Sequence, residues 1–118
     1  MILVDTSIWI DHLRRSKGHL VALLNEGLVL IHPLVIEELA CGNLSHRVEI
    51  LGLLRALPTV PVASHDEALA FVTQENLYGK GLGAVDAHLL ASARLARSRI
   101  WSLDKALTRA AKQLNLHV

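Results

Sequence analysis

Residues 1–10, "MILVDTSIWI", and residues 99–107, "RIWSLDKAL", share the plan that decides the fold. In each, a short run of apolar residues meets a carboxylate, Asp5 or Asp104, and a helical pattern follows. Strands that are apolar on successive residues are typical of parallel sheets covered on both faces. In open parallel sheets, ligands bind beyond the carboxyl ends of the strands. Both acids are therefore predicted to lie where such a fold places its chemistry.

Strand and helix patterns alternate along the rest of the chain. Further apolar runs predict strands at 28–31, 59–62 and 116–118. Helices are predicted at 7–14, 19–25 and 84–97, from Pro33 to just before Gly42, after an N-cap at Ser45, and after Ser64 with Glu67 completing a capping box. This alternation predicts a layered α/β fold. Since there is no repeat, linker or low-complexity tract, residues 1–118 are predicted to form a single domain.

The composition excludes a membrane-spanning chain and favours a cytoplasmic one. Apolar residues make up 52% of the sequence, but the longest apolar stretch, "LVLIHPLVI" at 28–36, is shorter than the roughly 18 residues of a span. A secretory signal begins with basic residues, whereas here an acid stands at position 5. Cys41 is the only cysteine, which excludes an internal disulfide and predicts a small buried side chain.

The net charge of +1 gives no overall attraction to nucleic acid. Between positions 94 and 112, however, the sequence has six basic residues and only one acidic residue, Asp104. This local excess has two readings that the sequence leaves open: a surface for a polyanion, or a solvated helix face with cations near a helix C-terminus.

Two further acids can join Asp5 and Asp104. Glu38 lies on the helix that follows the second strand, and Asp86 lies in the first turn of the helix at 84–97. Each acid also has an ordinary interpretation. Asp5 and Asp104 can be helix N-caps, Asp86 can complement the positive end of its helix, and Glu38 can be a surface residue, with Glu37 as the useful acid instead.

Four segments together resemble the acidic motifs of PIN-domain ribonucleases. They are "VDTSIWI" at 4–10, "ELACG" at 38–42, "GAVDAHLLASA" at 83–93 and "WSLDKAL" at 101–107. The length and the order of the motifs resemble the VapC toxins of type II toxin–antitoxin pairs. The resemblance covers nearly the whole chain, and the order of the motifs is more specific than any one of them.

This resemblance implies a three-layer α/β/α fold with a central, mainly parallel sheet. It also implies an endoribonuclease that depends on Mg²⁺ or Mn²⁺, with an acidic cluster that is both catalytic and metal-binding: Asp5, Glu38, Asp86 and Asp104. Thr6, Ser7 and Ser102 are similar to the family's supporting hydroxyl groups. The implied partners are a VapB-like antitoxin, a second copy of the chain, and a transfer or ribosomal RNA as substrate.

Acids and little else suffice for such a reaction, because Mg²⁺ and Mn²⁺ prefer oxygen ligands. One or two bound ions can polarise a phosphate and activate water without a covalent enzyme intermediate. The alternative from another class is a catalytically silent PIN-like module that captures RNA or a protein. A receiver or phosphatase is not favoured, because "VDTSIW" supplies neither adjacent acids nor D-x-D.

Other candidates are weaker. None of the seven histidines shows the helical spacing of a zinc site, and His88 is expected to be a surface or partly buried residue. "GKGLG" at 79–83 is predicted to be a turn between helices. Trp9 and Trp101 are expected in the core or an interface, and the scarcity of aromatic residues argues against RNA binding through a stacking surface.

Overall fold

A computed structural model describes all 118 residues, which form three strands and seven helices. In chain order these are β1 (Ile2–Val4), α1 (Thr6–Arg14), α2 (Gly18–Asn25), β2 (Val29–Leu30), α3 (Pro33–Cys41), α4 (Arg47–Arg55), α5 (His65–Gln74), α6 (Ala84–Ala96), β3 (Arg99–Trp101) and α7 (Lys105–Gln113). None of the helices is both long enough and apolar enough to span a membrane.

The sheet is parallel throughout, with β1 in the centre. The strand order is β2–β1–β3, and Leu3 of β1 aligns with Leu30 on one side and Ile100 on the other. Leu3 and Val4 are both fully buried although successive strand residues point to opposite faces. Both faces are therefore covered by helices, which confirms the predicted three-layer α/β/α fold.

Two of the predicted strands, at 59–62 and 116–118, are wrong. Thr59 and His117 each form only an isolated parallel bridge, to Ile31 and Ile100 respectively. Pro61 has no N–H to donate, so the first segment cannot continue its ladder beyond Val60. The second segment ends with the chain. Both nevertheless extend the pairing at the two edges of the sheet.

One of the two predicted serine N-caps is correct and the other is wrong. Ser64 forms the predicted capping box with Glu67: its Oγ accepts from the Glu67 N–H at 3.0 Å, and its own N–H donates to Glu67 Oε1 at 2.9 Å. Ser45 is not an N-cap. The helix begins two residues later, after His46, whose φ of 53° is left-handed and whose side chain makes no cap bond.

The structure also tests the predictions for three side chains and for the turn at 79–83. Cys41 is exposed, contrary to its predicted burial, because it lies at the last residue of α3. Trp9 is buried in the core as expected, and Trp101 is partly buried and packs against the core. The "GKGLG" segment is a turn between α5 and α6, as predicted, with Gly79 and Gly81 at positive φ.

We expect Ser64→Ala to lower the free energy of unfolding by about 1 kcal/mol, because it removes the acceptor for an otherwise free helix N–H group. Ser45→Ala is the matched control, and we expect its effect to stay within about 0.5 kcal/mol. Urea unfolding followed by circular dichroism measures both. Equal losses in the two variants would contradict this account of the helix starts.

Candidate active site

The sheet register brings the end of β1 against the end of β3. The N–H of Asp5 donates to the carbonyl of Trp101 at 2.9 Å, which continues the parallel ladder by one bond. Asp5 is consequently only 6% exposed, at the carboxyl edge of the sheet. Ser102 begins the short connection that leads from β3 to Asp104 and α7. Two of the predicted acids thus lie beside neighbouring strand ends.

Two hydroxyl groups hold the Asp5 carboxylate. Its Oδ2 accepts from Ser7 Oγ and from Ser102 Oγ, each at 2.7 Å, and the two hydroxyl oxygens are 3.3 Å apart. Asp5 occupies the N-cap position of α1 but makes no side-chain cap bond. Asp5 therefore does not cap the helix through its side chain. Its carboxylate accepts hydrogen bonds from the two hydroxyl groups instead.

The same hydroxyls direct the backbone toward Asp104. Ser7 Oγ accepts from the Leu103 N–H at 3.0 Å, and Ser102 Oγ accepts from the Asp104 N–H at 2.9 Å. Asp104 also caps α7, since its Oδ1 accepts from the Leu107 N–H at 2.8 Å. The cap interpretation is correct for Asp104, and the capping bond fixes the carboxylate near the hydroxyl pair.

Glu38 is tied to the start of α1 by Thr6. Thr6 Oγ1 donates to Glu38 Oε1 at 2.6 Å, across a separation of 32 residues. Glu38 lies on α3, whose first residue is Pro33 and whose N-cap is His32. Glu37 and Glu38 are both exposed, but only Glu38 contributes a charge to the acid described next. Of the two neighbouring glutamates, Glu38 is therefore the one that faces the strand ends.

Asp86 completes the cluster from α6. Its Oδ2 accepts from the Gly83 N–H at 3.0 Å, which anchors the first turn of the helix. Partial burial raises the pKa of Asp86, and the charges of Asp5, Asp104 and Glu38 raise it further, while the Gly83 bond opposes them. Asp86 thus lies in the electrostatic field of all three other predicted acids.

His32, the N-cap residue of α3, was not singled out by the sequence analysis. It is buried, and its Nδ1 accepts from the Leu34 N–H at 3.0 Å, so it caps the helix that carries Glu38. Burial, and secondarily the nearby His88, lowers its pKa to about 4. The ring is therefore neutral near pH 7 and caps the helix without placing a charge in the core. The sequence signal for this role is that His32 directly precedes Pro33, which occupies the N1 position of the helix.

Thr108 is a second supporting residue that the sequence did not single out. Its Oγ1 donates to the Ser102 carbonyl at 3.3 Å and braces the turn that carries Ser102. The residue lies one turn into α7, where a threonine has no distinctive pattern.

The four carboxylates suit a hard divalent cation by their chemistry, although they do not form a closed cage. No group of three or more His, Cys, Asp or Glu side chains is arranged to hold a metal by itself. Mg²⁺ generally keeps several waters and takes only one or two carboxylates from the protein. An open set of oxygen donors, fixed by hydroxyl groups, fits that requirement.

We expect Asp86→Asn to stabilise the metal-free protein at neutral pH, because the amide still accepts from Gly83 but carries no charge. Since the folded-state pKa of Asp86 is raised above 3.8, its contribution to stability is greatest below pH 3.8 and is lost as pH rises through the folded pKa. The gain should therefore shrink toward acidic pH. Unfolding free energies measured in EDTA from pH 3 to 8 test this, and a variant less stable at pH 7 would contradict it.

Comparisons with known proteins agree with this geometry. The PIN domain family matches residues 2–113. The chain is 52% identical over 108 residues to Ribonuclease VapC32 of Mycobacterium tuberculosis, in both strain CDC 1551 / Oshkosh and strain ATCC 25618 / H37Rv. The match covers 91% of this chain and 87% of each relative. The chain therefore belongs to the PIN-domain family, among its VapC-like ribonucleases.

Proposed function

We propose that residues 1–118 form one PIN-like domain that hydrolyses RNA phosphodiester bonds as a metal-dependent endoribonuclease, the toxin of a VapBC pair. The observation that carries the proposal is the pair of hydroxyls that fixes Asp5 among three further acids. The similarity to a protein named as a ribonuclease, over most of both chains, supports the same activity.

In this proposal one or two Mg²⁺ or Mn²⁺ ions are held by Asp5, Glu38, Asp86 and Asp104. When bound, the metal supplies Lewis-acid polarisation of the phosphate and lowers the pKa of water. Loading would also relieve the repulsion among the carboxylates, so metal affinity is expected to rise as Asp86 loses its proton.

The chain's own residues orient the acids. Ser7 Oγ and Ser102 Oγ each accept a backbone N–H, and each has one proton of its own. That proton is directed at Asp5 Oδ2, which leaves the rest of the Asp5 carboxylate free to act as a ligand. Thr6 performs the corresponding task for Glu38 by occupying Oε1. These hydrogen bonds thus fix the positions of the acids before a ligand binds.

The proposed antitoxin is a VapB-like protein with an apolar segment. A groove of about 520 Å³ between α1, α3 and the loop at 42–46 includes Ile10, Leu13 and Ile50, with Glu38 in its wall. Leu53, on α4, belongs to an adjoining groove and is 68% exposed. An apolar segment bearing one cation could cover this surface and reach the acidic cluster.

The remaining proposals concern assembly, substrate and location. Leu69 and Tyr78 are 60% and 66% exposed around α5 and its following turn, which supports a second copy of the chain as a partner. A transfer or ribosomal RNA is the proposed substrate, and the cytoplasm is the proposed compartment, where toxin, antitoxin and RNA meet.

We expect Asp5→Asn and Asp86→Asn to reduce RNA cleavage at least about 100-fold, because metal stabilisation of the transition state is worth several kcal/mol and each 1.36 kcal/mol is tenfold. Asp66→Asn, an equivalent change at an exposed acid of α5, is the matched control and should keep full activity. EDTA should stop cleavage, and products should carry a 3′-hydroxyl and a 5′-phosphate.

Two results would contradict the proposal. A 2′,3′-cyclic phosphate product would show that the RNA's own 2′-hydroxyl attacks, which excludes water activated at the acidic cluster. RNA binding with no turnover at any Mg²⁺ or Mn²⁺ concentration would identify a silent binding module.

A further inference from the structure

A polar cavity lies beside Trp101. It has a volume of about 420 Å³ and lies between the connection of α1 to α2 and the end of β3. Trp101 is the only hydrophobic residue in its lining. The other six lining residues are Asp11, Arg15, Ser16, Lys17, Gly18 and His19. So polar a lining does not suit an apolar protein segment.

Trp101 connects this cavity to the candidate active site. Its carbonyl accepts the Asp5 N–H, and the next residue, Ser102, donates to the Asp5 carboxylate. A ligand held against the Trp101 ring is therefore one residue along the chain from the hydroxyl pair. The cavity is a neighbour of the acidic cluster rather than part of it.

The Trp101 ring, which we call the platform, lines the cavity together with His19 and Lys17. The His19 ring lies with its centroid 4.9 Å away, at an angle of 48°. Lys17 Nζ lies 6.0 Å from the Trp101 centroid, within the range of a cation–π contact. Trp101 is half-buried and packs against the core through its remaining surface, so its orientation is supported from behind.

Cationic groups surround this platform. Lys17 is paired with Asp11 at 2.8 Å, whereas Arg15 is exposed and forms no ion pair. Trp101 also borders a second cavity, of about 280 Å³, whose lining includes Ser102, Thr108 and Lys112. Cations therefore line both cavities that border Trp101, whereas the carboxylate of Asp5 lies at the end of the neighbouring strand β1. This pattern matches a polyanion that crosses both regions.

We propose that this cavity binds one nucleotide of single-stranded RNA adjacent to the phosphate at the acidic cluster. The base stacks on Trp101 beside His19, and a flanking phosphate contacts Arg15 and Lys17. Stacking on an aromatic ring combined with a nearby cation is a sequence-tolerant way to hold single strands. The inference rests on the proposed ribonuclease function and assigns a substrate position to residues outside the acidic motifs.

The test measures RNA binding without cleavage. Trp9→Phe leaves Trp101 as the single tryptophan, and a short oligouridylate is titrated in EDTA while Trp101 fluorescence is followed. We expect quenching on binding. In this background, Arg15→Ala should weaken binding and reduce the slope of log K against log salt by about 0.7, the value for one lost single-strand phosphate contact. Arg55→Ala, which removes an exposed arginine of α4, is the matched control and should change neither quantity.

Trp101→Leu tests the platform while keeping an apolar side chain against the core. By fluorescence anisotropy of labelled oligouridylate we expect about tenfold weaker binding, as for one lost base stack. In the Mg²⁺-loaded enzyme, both Trp101→Leu and Arg15→Ala should raise KM several-fold with kcat nearly unchanged. A thermal melt verifies the Trp101→Leu fold, and Arg15→Ala keeps the proposal testable if that variant does not fold.

Failure of this proposal and failure of the ribonuclease assignment are separable. If Asp5→Asn abolishes cleavage while Trp101→Leu and Arg15→Ala bind and cleave RNA like the parent, the nucleotide position is overturned and the nuclease function stands. If the parent cleaves no RNA but Trp101 is still quenched in an Arg15-dependent way, the binding site stands and the nuclease function falls. Unchanged RNA binding with loss of a co-expressed protein partner would assign the cavity to that partner and overturn the proposal.

Discussion

The Asp5 carboxylate, buried at the end of the central strand, is the constraint on which the site depends. A charge that is only 6% exposed is tolerated when it is well hydrogen-bonded, and Ser7 and Ser102 provide that compensation from two different parts of the chain. The parallel register of β1 with β3 is what brings Ser102 to Asp5. Pairing of β1 with β3 therefore also places both hydroxyl groups at the Asp5 carboxylate.

The candidate site contains an electrostatic conflict that a bound cation would relieve. Partial burial raises the pKa of Asp86, and the charges of the three other carboxylates raise it further. Like charges at this density cost stability in the metal-free protein. An arrangement that costs stability and fits hard oxygen ligands is typical of a functional site rather than of a structural ion-pair network. The cavity beside Trp101 differs from this site, because its lining includes Arg15 and Lys17 with only one acid, Asp11.

Local chemistry made several features predictable from the sequence. The apolar runs before Asp5 and Asp104 identified the strand ends, Pro33 marked the start of α3, and Ser64 with Glu67 identified a capping box. The resemblance to the PIN-domain motifs pointed to Asp5, Glu38, Asp86 and Asp104 as candidate acids but left Glu37 open, and the structure bonds Thr6 to Glu38.

Features that depend on tertiary context were not predictable. The pairing of Thr6 with Glu38 spans 32 residues and leaves no local pattern. Ser45 has the right residue type for a cap, but the left-handed His46 moves the helix start beyond it. The partial exposure of Trp101 depends on the connection between α1 and α2, which lines the same cavity and which periodicity does not describe.

The central claim is that four carboxylates from distant parts of the chain make one divalent-cation site. Anomalous diffraction from crystals grown with Mn²⁺ tests it most directly. The account predicts one or two manganese peaks within coordinating distance of Asp5 and Asp86, in contact with Glu38 or Asp104, and absent in Asp5→Asn crystals. Manganese bound only elsewhere on the surface, with these carboxylates uncoordinated at saturating metal, would contradict it.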